Sequence, residues 1–320
     1  MAANMRVPVL FIAGLGRSGS TLISRTVGAV HGFCSVGELF LLWEHGVRRN
    51  EMCGCGVRFL DCDFWRSVGK EAFGGWDNVD IDEVLELHNS IVRTRYVPLL
   101  ILPQAVPSFQ CKLKRYTEIM SSVYQAIRTV SGCDIVVDSS KTPAAAYMIR
   151  HVPDIDLRIV HLVRSSYGVC YSHTKIVRNP NYGNGFMRRQ TPTRTAIEWM
   201  CLNLTLDALG FLGEPRMLLR YEDFIARPRT NLQRMITFAG EPMGTEELPF
   251  HGENHVQLPR SHSIAGNPMR NRTGLEPLAV DNAWRTELPQ RTKRIITALT
   301  GMGLARYKYP PFDRNTACAR

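Results

Sequence analysis

The sequence predicts an α/β domain built on a central parallel sheet with helices on both faces. Three observations lead there. Residues 7–15, a short apolar run with β-branched members, read as a buried strand, and 135–137, 157–163 and 217–219 as three further strands. Helical stretches separate these runs, and strands alternating with helices build βαβ units. The first run ends in a glycine-rich turn that opens a helix, which is the local grammar of a phosphate-binding α/β fold.

The elements follow in order. After the strand at 7–15 comes a glycine loop at 14–19. Residues 20–31 then carry Leu22, Ile23, Val27 and Val30 at helical spacing. Cys34-Ser35-Val36-Gly37 reads as a short strand and turn, and Glu38 opens a predicted helix over 39–43. Residues 51–130 are mostly helix and loop, an insertion or lid. The strand at 135–137 ends at Asp138, and Pro143 suits the first turn of the next helix. The strand at 157–163 leads to a helix at 165–175, and a long helix is predicted over 193–212. The strand at 217–219 precedes helices at 225–239 and 291–302. Residues 251–277, rich in Gly, Pro, Asn and Arg, read as a long surface loop, a length that tends to be functional. The whole of 1–320 is expected to form one domain.

Composition narrows the function classes. The 320 residues are 44% hydrophobic and 21% charged, ordinary globular usage that excludes disordered, collagenous and coiled-coil chains. No run approaches the ~18 apolar residues of a membrane helix, and the first apolar run meets glycines, not a cleavage site. A cytoplasmic protein with no membrane span is expected. The net charge is +10, from 39 Lys and Arg against 29 Asp and Glu. A basic surplus favours an anionic partner. No basic tail, zinc finger or RRM signature is present, so nucleic acid is not the expected partner. Among nine cysteines only Cys53, Cys55 and Cys62 cluster. Three ligands with no clear fourth point to packed thiols or a local disulfide before zinc, so no metal is expected.

Gly14-Leu15-Gly16-Arg17-Ser18-Gly19-Ser20-Thr21 carries the strongest signal. It keeps the glycine spacing and terminal hydroxyl of the G-x4-G-K-[ST] loop but has Ser20 where the lysine belongs. Backbone N–H groups at a helix N-terminus still face an anion, and Arg17 adds a planar guanidinium fork. Asp138 is the one candidate for the acidic residue that usually partners such a loop. Arg164, at a strand end, is followed eight residues later by Ser172 on the next helix. That spacing lets a guanidinium and a hydroxyl grip one phosphate.

With these residues in place, the chain resembles the PAPS-dependent sulfotransferases of bacterial and carbohydrate type. Arg17, Ser18, Gly19, Ser20 and Thr21 resemble that family's 5′-phosphosulfate loop. Arg164 and Ser172 resemble its 3′-phosphate motif, with Ser166 standing where the family often has proline. Tyr221-Glu222-Asp223-Phe224 is similar to a segment whose tyrosine lies near adenine. Gly266-Asn267-Pro268-Met269-Arg270 is similar to a late loop that folds over the nucleotide, with Asn267 and Arg270 as its binding residues. The resemblance spans residues 11–284. It implies a three-layer P-loop-like fold with a helical insertion and a nucleotide-covering loop at 251–277. It also implies transfer of a sulfuryl group from PAPS to an acceptor hydroxyl on a sugar, lipid or other small molecule, leaving PAP, with no metal.

A base should take the acceptor's proton. The resemblance points to Glu38, with helix-dipole stabilisation as the competing role. Lys141 ends a central strand, where α/β sheets place ligands, and is similar to a lysine that some members aim at the bridging oxygen. Other members use a histidine, and His262 is the histidine to test. Two other classes share parts of the pattern: a P-loop small-molecule kinase or phosphotransferase, and a non-enzymatic binder of polyanions. The acceptor pocket is expected from 45–130 and 176–192. Arg178, Arg188, Arg189 and Arg194, in or near the second of these, read as a solvated basic face before a site for an acidic or sugar-like acceptor.

Overall fold

A computed structural model describes residues 6–179, 185–241 and 248–311. The ends of the expected 1–320 domain and residues 180–184 of the expected acceptor loop lie outside them. Five parallel strands form the central sheet: β1 (Val7–Ala13), β2 (Phe33–Gly37), β3 (Ile135–Lys141), β4 (Ile155–Val163) and β5 (Arg216–Arg220), in the order β2-β3-β1-β4-β5. The central strand β1 pairs Val9 with Val136 on one side and Leu157 on the other. Its alternation divides the core. Val7, Val9, Phe11 and Ala13 enter one apolar cluster, while Leu10 and Ile12 enter a second. A strand buried on both faces needs such an unbroken apolar run.

The helices are α1 (Ser20–Val27), α2 (Asp63–Phe73), α3 (Ile81–Ile91), α4 (Val97–Ile101), α5 (Pro107–Ser131), α6 (Pro143–Ile149), α7 (Ser166–Thr174), α8 (Pro192–Ala208), α9 (Tyr221–Ala226), α10 (Pro228–Ala239), α11 (Trp284–Glu287) and α12 (Gln290–Arg306). Residues from α2, α3, α5 and α6 cover the Phe11 face, with Trp43, Trp65, Trp76 and Phe59 packed among them. Residues from α1, α9 and α10 cover the Leu10 face. A third cluster joins α7, α8 and α12.

Two local expectations are corrected. The predicted helix at 39–43 is a three-residue 3-10 turn, Leu39–Leu41, followed by a π-helical turn, Leu42–Arg48. The stretch 251–277 is not a plain loop. A small antiparallel sheet of β6 (Phe250–His251), β7 (His255–Leu258) and β8 (Gly274–Pro277) lies within and beside it. Val256 and Leu258 are buried in the second cluster, and the Arg25 guanidinium donates to the Pro259 and Met269 carbonyls at 2.6 and 2.8 Å. Short runs with alternate apolar residues were hidden there by the glycines and prolines around them.

Asp207 ties the third cluster to the sheet. It accepts from Arg216 at 2.5 Å, from Tyr307 at 2.8 Å and from Arg306. Burial alone would raise its carboxyl, but hydrogen bonds with His161, Arg306, Arg216 and Tyr307 outweigh burial and hold it well below the usual carboxylate range. A depressed folded-state value contributes stability above the unfolded pKa, about 3.9, that is lost as pH falls through the folded value. We expect Asp207→Asn to cost roughly 2 kcal/mol near neutrality and to flatten the acid limb of stability. Urea titrations of both proteins at neutral and strongly acidic pH check this; equal losses on acidification would rule the network out as its source.

Candidate active site

Every strand of the sheet delivers a site residue at its C-terminal end, where open α/β sheets bind ligands. The glycine loop follows β1, Glu38 follows β2, Lys141 closes β3, Arg164 follows β4 and Tyr221 follows β5. They meet around a cavity of about 490 Å³. Gly16, Arg17, Gly19, Ser20, Thr21, Glu38, Lys141, Arg164, Ser172, Tyr221 and Asn267 all line it. Among its lining residues, five are basic and two acidic, which suits a polyanionic ligand.

The loop geometry explains its glycines. Gly19 has φ 91°, and a Cβ there would fall 2.4 Å from the Tyr221 ring, so the ring packs directly on the loop backbone. Arg17 itself adopts φ 70°, a left-handed conformation that costs a non-glycine residue free energy and clusters at functional sites. Across the cavity Arg164 lies over the Tyr221 ring at 5.0 Å and donates to the Arg17 carbonyl at 3.0 Å. One guanidinium thereby joins the two anion motifs to the aromatic ring.

Glu38 and Lys141 form an ion pair within the cavity, both side chains more than four-fifths buried. Each is locally held. Lys141 has φ 68°, and its carbonyl accepts from Gly14 at 3.0 Å, tying it to the start of the glycine loop. The Glu38 N–H donates to the Ile264 carbonyl at 3.1 Å, and the Ile264 N–H donates to Val36 at 2.9 Å. Gly37 has φ 79°, with room for no Cβ beside the Ile264 carbonyl. Gly266 approaches so closely that its Cβ would sit 2.6 Å from Glu38 Oε1.

Asp138 does not face the glycine loop. It is 2% exposed and accepts from Tyr124 at 2.7 Å and from the Ser140 N–H at 2.8 Å. Ser140 Oγ in turn accepts from the Phe40 N–H at 2.8 Å, which fixes the turn beside Glu38. Burial raises the Asp138 carboxyl, against the lowering effect of these bonds. Its place is behind the site.

Three expected residues lie elsewhere. Ser18 is buried at 1% exposure and is not among the lining residues. Arg270, expected at the nucleotide, is 2% exposed, and its guanidinium donates to the Met52 carbonyl at 2.8 Å. The 3-10 turn Pro268–Asn271 directs it inward, while Arg272, just past that turn, lines the cavity. His262 is in contact with Cys62 and is not a lining residue. The structure also adds His173 and Arg188 to the cavity wall. His173 Nε2 lies 3.3 Å from the Gly16 carbonyl; burial, and then the neighbouring Arg17 charge, lowers its pKa. Its place one residue after Ser172 was the available signal. Arg188 belonged to a run read as solvated, whereas Arg194 does pair outward with Glu198 at 3.0 Å.

A model of the sulfotransferase family matches residues 8–245. Among solved structures, the chain is similar to the sulfotransferase domain from the curacin biosynthetic pathway. That match covers 96% of this chain and all of that one, at 18% identity and a TM-score of 0.50. Such a likeness speaks for the fold alone. The sulfotransferase domain from the Synechococcus PCC 7002 olefin synthase aligns over 95% of this chain and 96% of that one, at 17% identity and a TM-score of 0.48. Retinol dehydratase in complex with retinol and PAP aligns over 94% of this chain and 82% of that one, at 11% identity and a TM-score of 0.39. No curated protein matches the chain in sequence. Among the described residues no helix is long and apolar enough to cross a membrane.

Proposed function

Because the chain belongs to the sulfotransferase family, and its chemistry is therefore sulfuryl transfer, we propose that the cavity takes PAPS and passes its sulfuryl group to a hydroxyl of a sugar, lipid or other small molecule, leaving PAP. The observation that carries this reading is the convergence of two separate anion motifs and one carboxylate–lysine pair on a single basic cavity. The residues present fit such a nucleotide. Loop amides and Arg17 suit a 5′-phosphosulfate, Arg164 and Ser172 a 3′-phosphate, and Tyr221 an adenine face.

PAPS supplies an activated sulfur whose bond to the 5′-phosphate oxygen breaks as the bond to the acceptor oxygen forms. In this reading Glu38 accepts the acceptor's hydroxyl proton, since the attacking oxygen must shed it near the transition state. Lys141 and Arg17 hold fixed positive charge for the phosphate oxygen that gains charge, which lowers the barrier without reorganisation. The Glu38–Lys141 pair serves both ends: the lysine orients the carboxylate before the acceptor enters. Ser20 in place of the P-loop lysine argues against the phosphotransferase reading.

Thermal unfolding with added nucleotide tests cofactor choice. At a ligand concentration about 100 times Kd, a ligand that binds only the folded state stabilises it by about 2.7 kcal/mol. We expect PAP to raise Tm and ATP to leave it nearly unchanged. A product screen with PAPS against sugars, lipids and phenols, read as the mass gain of one sulfuryl group, then identifies the acceptor. A Tm that responds to ATP and not to PAP would overturn the cofactor assignment.

A further inference from the structure

Four metal-ligating side chains meet away from the cavity. Cys53, Cys55, Cys62 and His262 place their ligand atoms within 4.8 Å of one another. Cys55 Sγ and Cys62 Sγ are 3.6 Å apart, and Cys62 Sγ is 3.2 Å from His262 Nδ1. A tetrahedral zinc ion with Zn–S bonds of about 2.3 Å holds its sulfurs about 3.8 Å apart, so these spacings are close to the edges of one coordination tetrahedron. Cys53 and Cys62 are buried, Cys55 and His262 half-buried.

The backbone around the cluster is a tight hairpin. The Cys53 N–H donates to the Val57 carbonyl at 2.7 Å, and the Gly56 N–H donates to the Cys53 carbonyl at 3.0 Å, which closes a tight turn through Cys55. Gly56 supplies the left-handed φ of 93°. Cys62 is the residue that precedes α2. The fourth ligand arrives from the other side of the chain. The Gly54 N–H donates to the Ser263 carbonyl at 3.0 Å, the Trp65 indole donates to the His262 carbonyl at 2.8 Å, and the Phe64 ring stacks on the His262 ring at 4.7 Å. These contacts fix the imidazole so that Nδ1 points at the sulfurs. A disulfide would use two of the three cysteines and leave the third and the histidine with no purpose.

We infer that Cys53, Cys55, Cys62 and His262 form a closed structural zinc site that clamps the cysteine hairpin and the start of α2 to the 259–264 segment. Three thiolates and one imidazole with no open position are the donor set of structural zinc, not of catalytic zinc. Zinc entry releases the three thiol protons to solvent, so binding strengthens with pH. The clamp has a consequence for the cavity. Its segment continues directly to Ile264, which holds the Glu38 backbone, and to Gly266 and Asn267 at the cavity wall. The zinc acts on the site by positioning, and it takes His262 out of contention as a base. The inference does not depend on PAPS as the cosubstrate.

Metal analysis of the full-length, untagged protein tests it. We expect about one zinc per chain, released when an organomercurial blocks the thiols and read with a chromogenic chelator. Growth with cobalt should give the intense visible bands of tetrahedral thiolate coordination. Cys62→Ser and His262→Ala should lose most of the metal, while His262→Cys, which restores a four-ligand set, should retain it. That rescue distinguishes ligation from a packing role and covers the case in which single variants fold poorly. A wild-type protein with well under one-tenth zinc per chain after expression in zinc-replete medium, iron in place of zinc, a disulfide among the three cysteines in non-reduced peptide mapping, or full zinc retention in both Cys62→Ser and His262→Ala would each overturn the inference.

Discussion

Replacing Glu38 by glutamine should lower turnover by ~10²–10⁴-fold, the usual contribution of a general base, while PAP binding stays near wild type. The substitution keeps the shape and removes the basicity. A base acts on the acceptor's proton, so cofactor affinity has no reason to fall. The competing role, an acid at a helix start, is weak in this structure. Glu38 precedes a three-residue 3-10 turn that gives way to a π-helical turn, not the regular α-helix along which a dipole builds up. Lys141→Ala should also slow turnover, because it removes the partner of Glu38 and the charge proposed for the leaving oxygen. Unlike Glu38→Gln, it should carry a modest cost in PAP affinity. The measurement is steady-state turnover with the acceptor from the product screen, alongside PAP titration. Turnover of Glu38→Gln within about threefold of wild type is too small a change for a lost base and would remove Glu38 from that role.

Arg17→Ala and Arg164→Ala should each weaken PAP binding by about ten- to a hundredfold, the equivalent of losing a charge-assisted contact of roughly 1.5–3 kcal/mol. In the proposed function the two residues hold different parts of one ligand, so their effects should differ in kind. Arg164 also supports the Arg17 carbonyl and the Tyr221 ring. Its loss should therefore cost more, and Arg164→Lys should recover only part of the affinity because an ammonium lacks the planar fork. Calorimetric titration with PAP, and with adenosine 5′-monophosphate, which lacks only the 3′-phosphate, separates the ends. Arg164→Ala should hardly distinguish the two ligands, whereas Arg17→Ala should still prefer PAP. If both variants bind PAP like wild type, the assignment of these motifs fails.

What was legible in the sequence was local. The glycine loop, the strand β1 before it and the helix α1 after it lie within one short stretch, and their residue types state their own geometry. The pair of Arg164 and Ser172 is likewise one strand end and one helix turn. Contacts across the chain carried no such mark. Glu38 and Lys141 are 103 residues apart, and Cys62 and His262 are 200 apart. Each pair is made by the sheet order or by a returning segment, not by spacing. For the same reason three clustered cysteines read as a set without a fourth member. Arg270 and Arg272 show a finer limit. They are near neighbours of one residue type, and only the 3-10 turn decides which faces the cavity. The predicted helix at 39–43 failed differently, since apolar spacing does not distinguish an α-helix from a π-helical turn.

The segment that returns along β2 touches two parts of the cavity at once. Ile264 and Gly266 press on Glu38, while Asn267 and Arg272 line the cavity wall, on the side proposed here for the nucleotide. On the proposed function, a strip of backbone shared in this way should make the two substrates thermodynamically aware of each other. Whatever free energy the nucleotide spends in tightening the strip is returned as affinity for the acceptor beside Glu38, and linkage requires the acceptor to repay the same factor. Binding of the two substrates should then be synergistic, each holding more tightly when the other is in place. Acceptor binding measured with and without PAP, and PAP binding with and without acceptor, would show the exchange as equal factors in both directions, and independence of the two would mean that the strip is rigid enough to serve each neighbour separately.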